Sequence, residues 1–282
     1  MTGPVNRVIL GFDGSPAASA AIDAAAKLLP GAHTWIAHIW MPPFADESLR
    51  RQLWNGSSNI DQYVAAIERE GAREAERIAG AGAALARAAG WRAEPLVDRG
   101  FGGDGVQFAQ LAEKLGAGLV IVGSRGLGGT RAVLGSVSDM VVHYSRHPVL
   151  VVPHPLLSSA FNALAGGPVV LGWDGSRGAR TALTTVRDIF GDREVIPVTV
   201  EDGLGHGGES CDETVTVLHR DGMLPRSGRA IAAELRAYAR TRDAAVVAVG
   251  SRGRSAIAEI LLGSVAMATL HHAHRPVLVV PR

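Results

Sequence analysis

The sequence predicts an α/β protein made of two open, five-stranded parallel-sheet domains in tandem, Rossmann-like or flavodoxin-like, the second lacking one helix. Two observations carry this. The first is a repeat in fixed order, the signature of a duplicated unit. Val8-Ile-Leu-Gly-Phe-Asp-Gly-Ser15 returns as Val169-Val-Leu-Gly-Trp-Asp-Gly-Ser176, and Val120-Ile-Val-Gly-Ser-Arg-Gly126 as Val247-Ala-Val-Gly-Ser-Arg-Gly253. Pro148-Val-Leu-Val-Val-Pro153 then returns as Pro276-Val-Leu-Val-Val-Pro281. The second is that short, almost wholly apolar strands alternate with helical stretches, as in a parallel sheet covered on both faces.

Taken in order, Arg7–Gly11 is an apolar run rich in β-branched residues and predicts the first strand. Ala17–Leu29 is alanine-rich and helical, with Ser15 as N-cap and Pro16 at the first helical position. Thr34–Trp40 predicts the second strand. Asp61–Ala89 predicts a long amphipathic helix whose charged residues, Glu68–Arg87, form a solvated face with i,i+4 pairs. Arg92–Val97 predicts the third strand, Gly105–Leu115 a short helix and Leu119–Val122 the fourth strand. Ser136–His143 predicts a helix and Val149–Val152 the last strand.

The second half repeats this with one loss. The offset between halves falls from 161 at the first strand to 127 at the fourth, a deficit of 34 that matches the long helix and its approach loop. Glu201–Cys211, glycine-rich and without helical period, stands in that place. The expected domains are residues 1–154 and 168–282, joined by a linker at 155–167. One sheet face of the second half should lie partly uncovered, a surface for the other half, the linker or a second chain. An edge strand exposes unpaired backbone groups, and the other half is the partner at highest effective concentration. Val149–Val152 and Val277–Val280 are therefore expected to pair the halves as an intrachain pseudo-dimer, with further homodimerisation through the uncovered face.

Composition narrows the function classes. The 282 residues, 47% hydrophobic, suffice for two ordinary cores. A net charge of +1 gives no electrostatic reason to expect nucleic acid or an anionic membrane as partner. The single cysteine, Cys211, excludes an internal disulfide and a cysteine-rich zinc site, and in its loop it is a possible oxidation site. Met1–Arg7 holds no apolar signal core, and no apolar run is long enough to span a bilayer. These features predict a cytoplasmic protein.

In each half a strand ends in Gly-Ser-Arg-Gly, a loop follows, and Gly-Ser opens a helix. Glycines let backbone approach a ligand closely, and the unpaired N–H groups at a helix start carry partial positive charge that stabilises phosphate. The hydroxyls of Ser251 and Ser264 can donate to phosphate oxygens. Arg125 and Arg252, inside the loops, are candidates for phosphate contact, with plain solvent exposure as the alternative. Neither half has a Walker lysine, and the motif follows the fourth strand, so it is not the dinucleotide fingerprint. A lone Gly-x-x-Gly more often makes only a tight turn. The composite of an aspartate at one strand end, Gly-x-x-Gly at another and Gly-Ser on the next helix favours a ligand, because loops at the carboxyl ends of parallel strands converge on one crevice.

On these motifs the chain resembles the universal stress proteins in their tandem, two-domain form, over nearly its whole length. The most specific pattern is Gly-x2-Gly-x9-Gly-Ser/Thr, met in full by Gly250, Gly253, Gly263 and Ser264. The Asp-Gly-Ser after each first strand and the terminal Pro-Val-Leu-Val-Val strands are similar too. The resemblance implies ATP, or AMP or ADP, in each crevice, with Mg2+ as an accompanying ion. It implies an aspartate holding the ribose and a hydrophobic residue after the second strand holding the adenine: Asp13 and Ile39, then Asp174 and Thr199. The candidate binding residues of the first half are Gly11, Asp13, Ile39, Val122, Gly123, Arg125, Gly126, Gly135, Ser136 and Val137. Those of the second are Gly172, Asp174, Thr199, Val249, Gly250, Arg252, Gly253, Gly263, Ser264 and Val265. Only eight residues separate Gly126 from Gly135, against nine in the second half. One residue fewer turns a helix start by roughly 100° if the loss falls within the helix. The second loop is therefore slightly favoured.

The expected function is that of a nucleotide-binding regulatory protein in the stress response, with little or no turnover. A slow ATPase or adenylyl-transferring enzyme is one alternative, and a ligand-free scaffold for protein interaction is another. The chain lacks a P-loop lysine, an evident magnesium carboxylate pair and a base placed by a motif. Asp13 and Asp174 could help hold a metal through phosphates, but one carboxylate per site is a thin ligand set. No catalytic residue and no dedicated metal ligand is assigned. His143 and His147, and the cluster His271, His272 and His274, are read as structural histidines at helix C-termini.

Overall fold

The computed structural model describes residues 7–42, 47–125, 134–191, 193–202, 215–220, 227–251 and 262–281. The first half runs β1 (Arg7–Gly11), α1 (Pro16–Leu28), β2 (His33–Trp40), α2 (Glu47–Asn55), α3 (Ile60–Ala88) and β3 (Arg92–Arg99). It continues α4 (Asp104–Leu115), β4 (Leu119–Gly123), α5 (Ser136–Tyr144) and β5 (Val149–Val152). After α6 (Ser158–Ala163), the second half runs β6 (Val169–Gly172), α7 (Arg177–Phe190), β7 (Val195–Asp202) and β8 (Thr216–Arg220). It ends α8 (Gly228–Thr241), β9 (Val246–Gly250), α9 (Ser264–His271) and β10 (Val277–Val280).

Local chemistry accounts for the boundaries. Ser15 and Ser176 cap α1 and α7 by accepting from Ala18 and Ala179 N–H. Asn59 caps α3, whose buried stripe of Ile67, Gly71, Ala75, Ala79, Ala83 and Ala86 recurs at helical spacing. Small side chains on that stripe let α3 lie close over the sheet. Two helices are absent from the sequence reading. α2 buries no residue, so it has no apolar period to detect; a Glu47–Arg51 ion pair and an edge-on Trp54–Tyr63 contact accompany it. α6 lies in the expected linker. It forms around buried Ala160 and Leu164, and Arg193 donates to the carbonyls of Leu164 and Gly167 at its C-terminal end.

The strands form one sheet in the order β3-β2-β1-β4-β5-β10-β9-β6-β7-β8. All pairs within each half are parallel. The two sheets fuse where β5 and β10 pair antiparallel, with Leu150 opposite Leu278. The last strands thus join the halves, as edge pairing predicts. The antiparallel seam points the strand carboxyl ends of the two halves in opposite directions. On one face a single core crosses it, linking Leu150, Val152, Leu278 and Val280 to residues of both α1 and α7.

Between β7 and β8 the described residues hold no helix. Val97 of β3 is half-buried on the α3 side, where Arg99 pairs with Glu68 of that helix. Val217 holds the matching place on β8 and is 42% exposed. Among the described residues no helix is long and apolar enough to cross a membrane.

Four of the five tryptophans, at 35, 40, 54 and 91, lie in the first half, so fluorescence reports mainly on it while circular dichroism reports on both. A core shared across the seam predicts that the two signals coincide in a single urea transition. Leu150→Ala should lower stability by about 2–5 kcal/mol and move both together. Two separate transitions in the wild-type chain would contradict a shared core.

Candidate functional site

The site begins at the turn after each first strand. Phe12 N–H donates to the Ala37 carbonyl at 2.8 Å, and Asp13 Oδ1 accepts from Ser15 N–H at 3.0 Å. Gly14, at φ 81, supplies the left-handed residue that this turn needs. The second half repeats each feature: Trp173 N–H to the Val198 carbonyl at 2.8 Å, Asp174 Oδ1 from Ser176 N–H at 3.0 Å, and Gly175 at φ 72.

The glycine loop after the fourth strand is anchored equally in both halves. Ser124 N–H donates to the Val152 carbonyl, and Gly135 N–H returns to the Ser124 carbonyl at 2.8 Å. Ser251 and Gly263 make the same two bonds, the second at 2.7 Å. The helix start is therefore fixed to the strand end in the same way, and the residue missing from the first loop does not rotate it. Gly126, Arg252 and Gly253 lie outside the described residues.

The carboxyl ends of β1, β2 and β4 and the first turn of α5 enclose a cleft of about 770 Å³. It brings together Gly11, Asp13, Ile39, Val122, Gly123, Arg125, Gly135, Ser136 and Val137. The cleft also takes in residues that the sequence reading missed. His38 Nδ1 lies 2.8 Å from the Phe12 carbonyl, which can only accept, so Nδ1 carries the proton and Nε2 of the neutral ring is an acceptor. Asp104 Oδ1 is buried and has no hydrogen-bond partner among the described residues. A buried orphan acceptor calls for a donor from elsewhere. Phe108 adds an apolar wall, and His271 reaches the cleft from α9 of the second half. The sequence marks His271 only as one of a structural histidine cluster at a helix C-terminus; the seam brings it to the cleft. His38 had a weak signal in its place beside Ile39.

The second half departs in two respects. β1 and β2 pair Gly11 with Ala37, and β6 and β7 pair Gly172 with Val198. The residue in register with Ile39 is therefore Val200, not Thr199. Thr199 occupies the position of His38, and its hydroxyl donates to the Trp173 carbonyl at 2.8 Å as His38 does to Phe12. The sequence offset fixed this strand only loosely. In addition, α8 starts earlier than α4 in register, and its first residue packs on the start of α9. A Cβ on Gly228 would lie 2.4 Å from Ser264 Oγ. Gly172 and Val249 lie side by side, since a Cβ on Gly172 would meet Val249 Cγ1 at 3.4 Å. Asp174, Gly250, Gly263 and Val265 occupy the ends and turns equivalent to their first-half counterparts.

The universal stress protein family model matches residues 4–153 and 226–281. A universal stress protein from Mycolicibacterium smegmatis (strain ATCC 700084 / mc(2)155) is 32% identical over 184 residues, 58% of this chain. The match spans 62% of that relative's length. The crystal structure of a universal stress protein from Archaeoglobus fulgidus DSM 4304 superposes with a TM-score of 0.64 at 21% identity, covering 99% of both chains. A functionally unknown protein from Pseudomonas aeruginosa PAO1 superposes with a TM-score of 0.58 at 12% identity, covering 98% of this chain and 92% of its own. At such identities the structural likeness shows the fold.

The cleft depends on the close crossing of α4 and α5. A Cβ on Gly105 would lie 2.5 Å from Met140 Cβ and 2.7 Å from the Val137 carbonyl oxygen. Gly105→Ala should push α5 outward and cost about 1–3 kcal/mol, read as a lower urea midpoint. An unchanged midpoint would show that the crossing tolerates a methyl group.

Proposed function

The chain belongs to the universal stress protein family, and we propose that it is a regulatory protein that binds an adenine nucleotide in its first-half cleft with little or no turnover. The observation that carries this is the convergence of nine of the ten candidate residues of the first half on one cleft. Its volume lies within the roughly 300–1,000 Å³ of small-molecule sites.

The groups divide by chemistry. The start of α5, with Ser136 and Arg125, suits the phosphates: unpaired N–H groups, a hydroxyl and a guanidinium converge there. Asp13 suits the ribose hydroxyls. Ile39, Val122 and Phe108 offer apolar surface to the base, and Asp104 Oδ1 is an acceptor suited to the exocyclic amino group of adenine. Mg2+, when it accompanies the phosphates, neutralises charge there. These groups bind ground and transition states alike, which does not raise kcat. Among the described lining residues Arg125 is the one permanently cationic side chain. Binding would also be felt by the second half, because His271 faces the cleft from α9.

Calorimetry should show ATP or AMP binding to the full chain. Gly135 sits at φ −69 and ψ 151, a conformation open to any residue, so Gly135→Val should remove binding while leaving the fold intact. Absence of heat with excess ATP, and of nucleotide in the purified protein, would sink the proposal and favour a ligand-free scaffold. With Mg2+, turnover should stay below the ~1 s⁻¹ that marks the lower end of kinase rates. A faster rate that disappears in Asp13→Ala would instead make the protein an enzyme. Asp104→Ala should weaken ATP binding more than GTP binding, and equal losses would remove Asp104 from base recognition.

A further inference from the structure

A second cavity lies apart from the nucleotide cleft, at the amino-terminal end of the second-half strands. Its volume is about 220 Å³. Leu157 and Ala160 of the α6 segment form one wall, Ala233 and Ala237 of α8 another, and Val247 and Val277 the floor. Arg193 ties the end of α6 to the sheet, so this wall is fixed. The body of the cavity is thus lined mainly by apolar side chains, with the hydroxyls of Ser159 and Thr269 among them.

Its rim is cationic. Arg236, Arg240 and Arg275 all line it, together with His274. Arg275 is only 6% exposed; it donates to the Ala244 carbonyl and, at 3.3 Å, to Asp243 Oδ1. The Asp243 side chain is 76% exposed, so the one carboxylate beside this buried charge stands in water and compensates it weakly. Arg236 donates to the His272 carbonyl at 2.8 Å and to the Ala232 carbonyl at 3.2 Å. Burial, and then the neighbouring Arg240 charge, lower its pKa. Three guanidiniums therefore crowd one apolar cavity with a single solvated counter-charge among the described residues. The arrangement is private to the second half. The residues in register in the first half are Ala109 for Arg236, Glu113 for Arg240 and His147 for Arg275.

We propose that this cavity binds a small organic monocarboxylate whose apolar body is about the size of one ring, benzoate being the simplest example. An apolar cavity of about 150 Å³ is enough for benzene, so about 220 Å³ leaves room for a carboxylate at the arginine rim. Planar guanidiniums match a carboxylate fork in geometry and charge. A bare inorganic anion would leave the alanine and valine walls unfilled, and a neutral ring would leave the guanidiniums uncompensated.

The test is calorimetric titration of the full chain with sodium benzoate, benzyl alcohol and inorganic phosphate. Benzoate should saturate one site with a Kd of about 1 mM or tighter, and the other two should bind at least roughly tenfold more weakly. Ala237→Leu, a half-buried helix position that accepts leucine, should fill the cavity and abolish benzoate binding. Arg240→Gln, on the exposed rim, should weaken benzoate severalfold at low salt and less at high salt. Circular dichroism and the urea midpoint check that both variants fold. Absence of benzoate binding, equal affinity for benzyl alcohol or phosphate, or unchanged binding in a folded Ala237→Leu variant would each overturn the proposal.

Discussion

The antiparallel pairing of β5 with β10 is the constraint on which the rest of this protein depends. Each half alone would present a parallel sheet with an apolar edge of Val-Leu-Val-Val, whose unpaired backbone groups invite association. Pairing those edges hides both at once. It also fixes the relation of everything else: the strand carboxyl ends of the two halves point oppositely, and one core runs beneath α1 and α7 together. The seam carries α9 far enough for His271 to line the cleft of the other half. A duplicated chain thereby acquires a cleft lined by residues of both halves.

Within that frame the two halves have diverged by small changes of packing. The Asp-Gly-Ser turns and the anchors of the glycine loops are the same to within about a tenth of an ångström in their hydrogen bonds. What differs lies around them. In the first half Gly105 lets α4 and α5 cross beside an open cleft. In the second, α8 begins early and sets Gly228 on Ser264. The arginines of α8 and the turn after α9 give the second half a cavity chemistry that the first lacks. Duplication supplied two equivalent frames, and substitutions on α4, α5, α8 and α9 have made them unequal.

Much of this was legible in the sequence because it rests on local signals. Apolar β-branched runs fixed the strands, Ser-Pro fixed the start of α1, and the repeat fixed the topology and even the seam. Nine first-half candidates meet in one cleft because they sit at strand ends, in the turns that follow them and at the start of α5, which the parallel fold brings together. The rest depended on contacts distant in sequence or on the lack of any period. α2 buries nothing and so left no pattern. The expected counterpart of Ile39, Thr199, is one residue off because the second strand of that half has no anchor motif, and only the pairing register identifies Val200. Asp104 belongs to no motif, and His271 reads in sequence only as one of a structural histidine cluster. Their roles come from a buried orphan oxygen and from the neighbouring half.

The account turns on a nucleotide held at the first-half strand ends of one continuous sheet. Hydrogen exchange with mass spectrometry, with and without ATP, tests this most directly. Peptides covering Gly11–Asp13, Val122–Arg125 and Gly135–Val137 should slow when ATP is added, with a smaller slowing around His271. The seam peptides Val149–Val152 and Val277–Val280 should be strongly protected in both states. Protection by ATP confined to other segments, or rapid exchange of the seam strands, would contradict it.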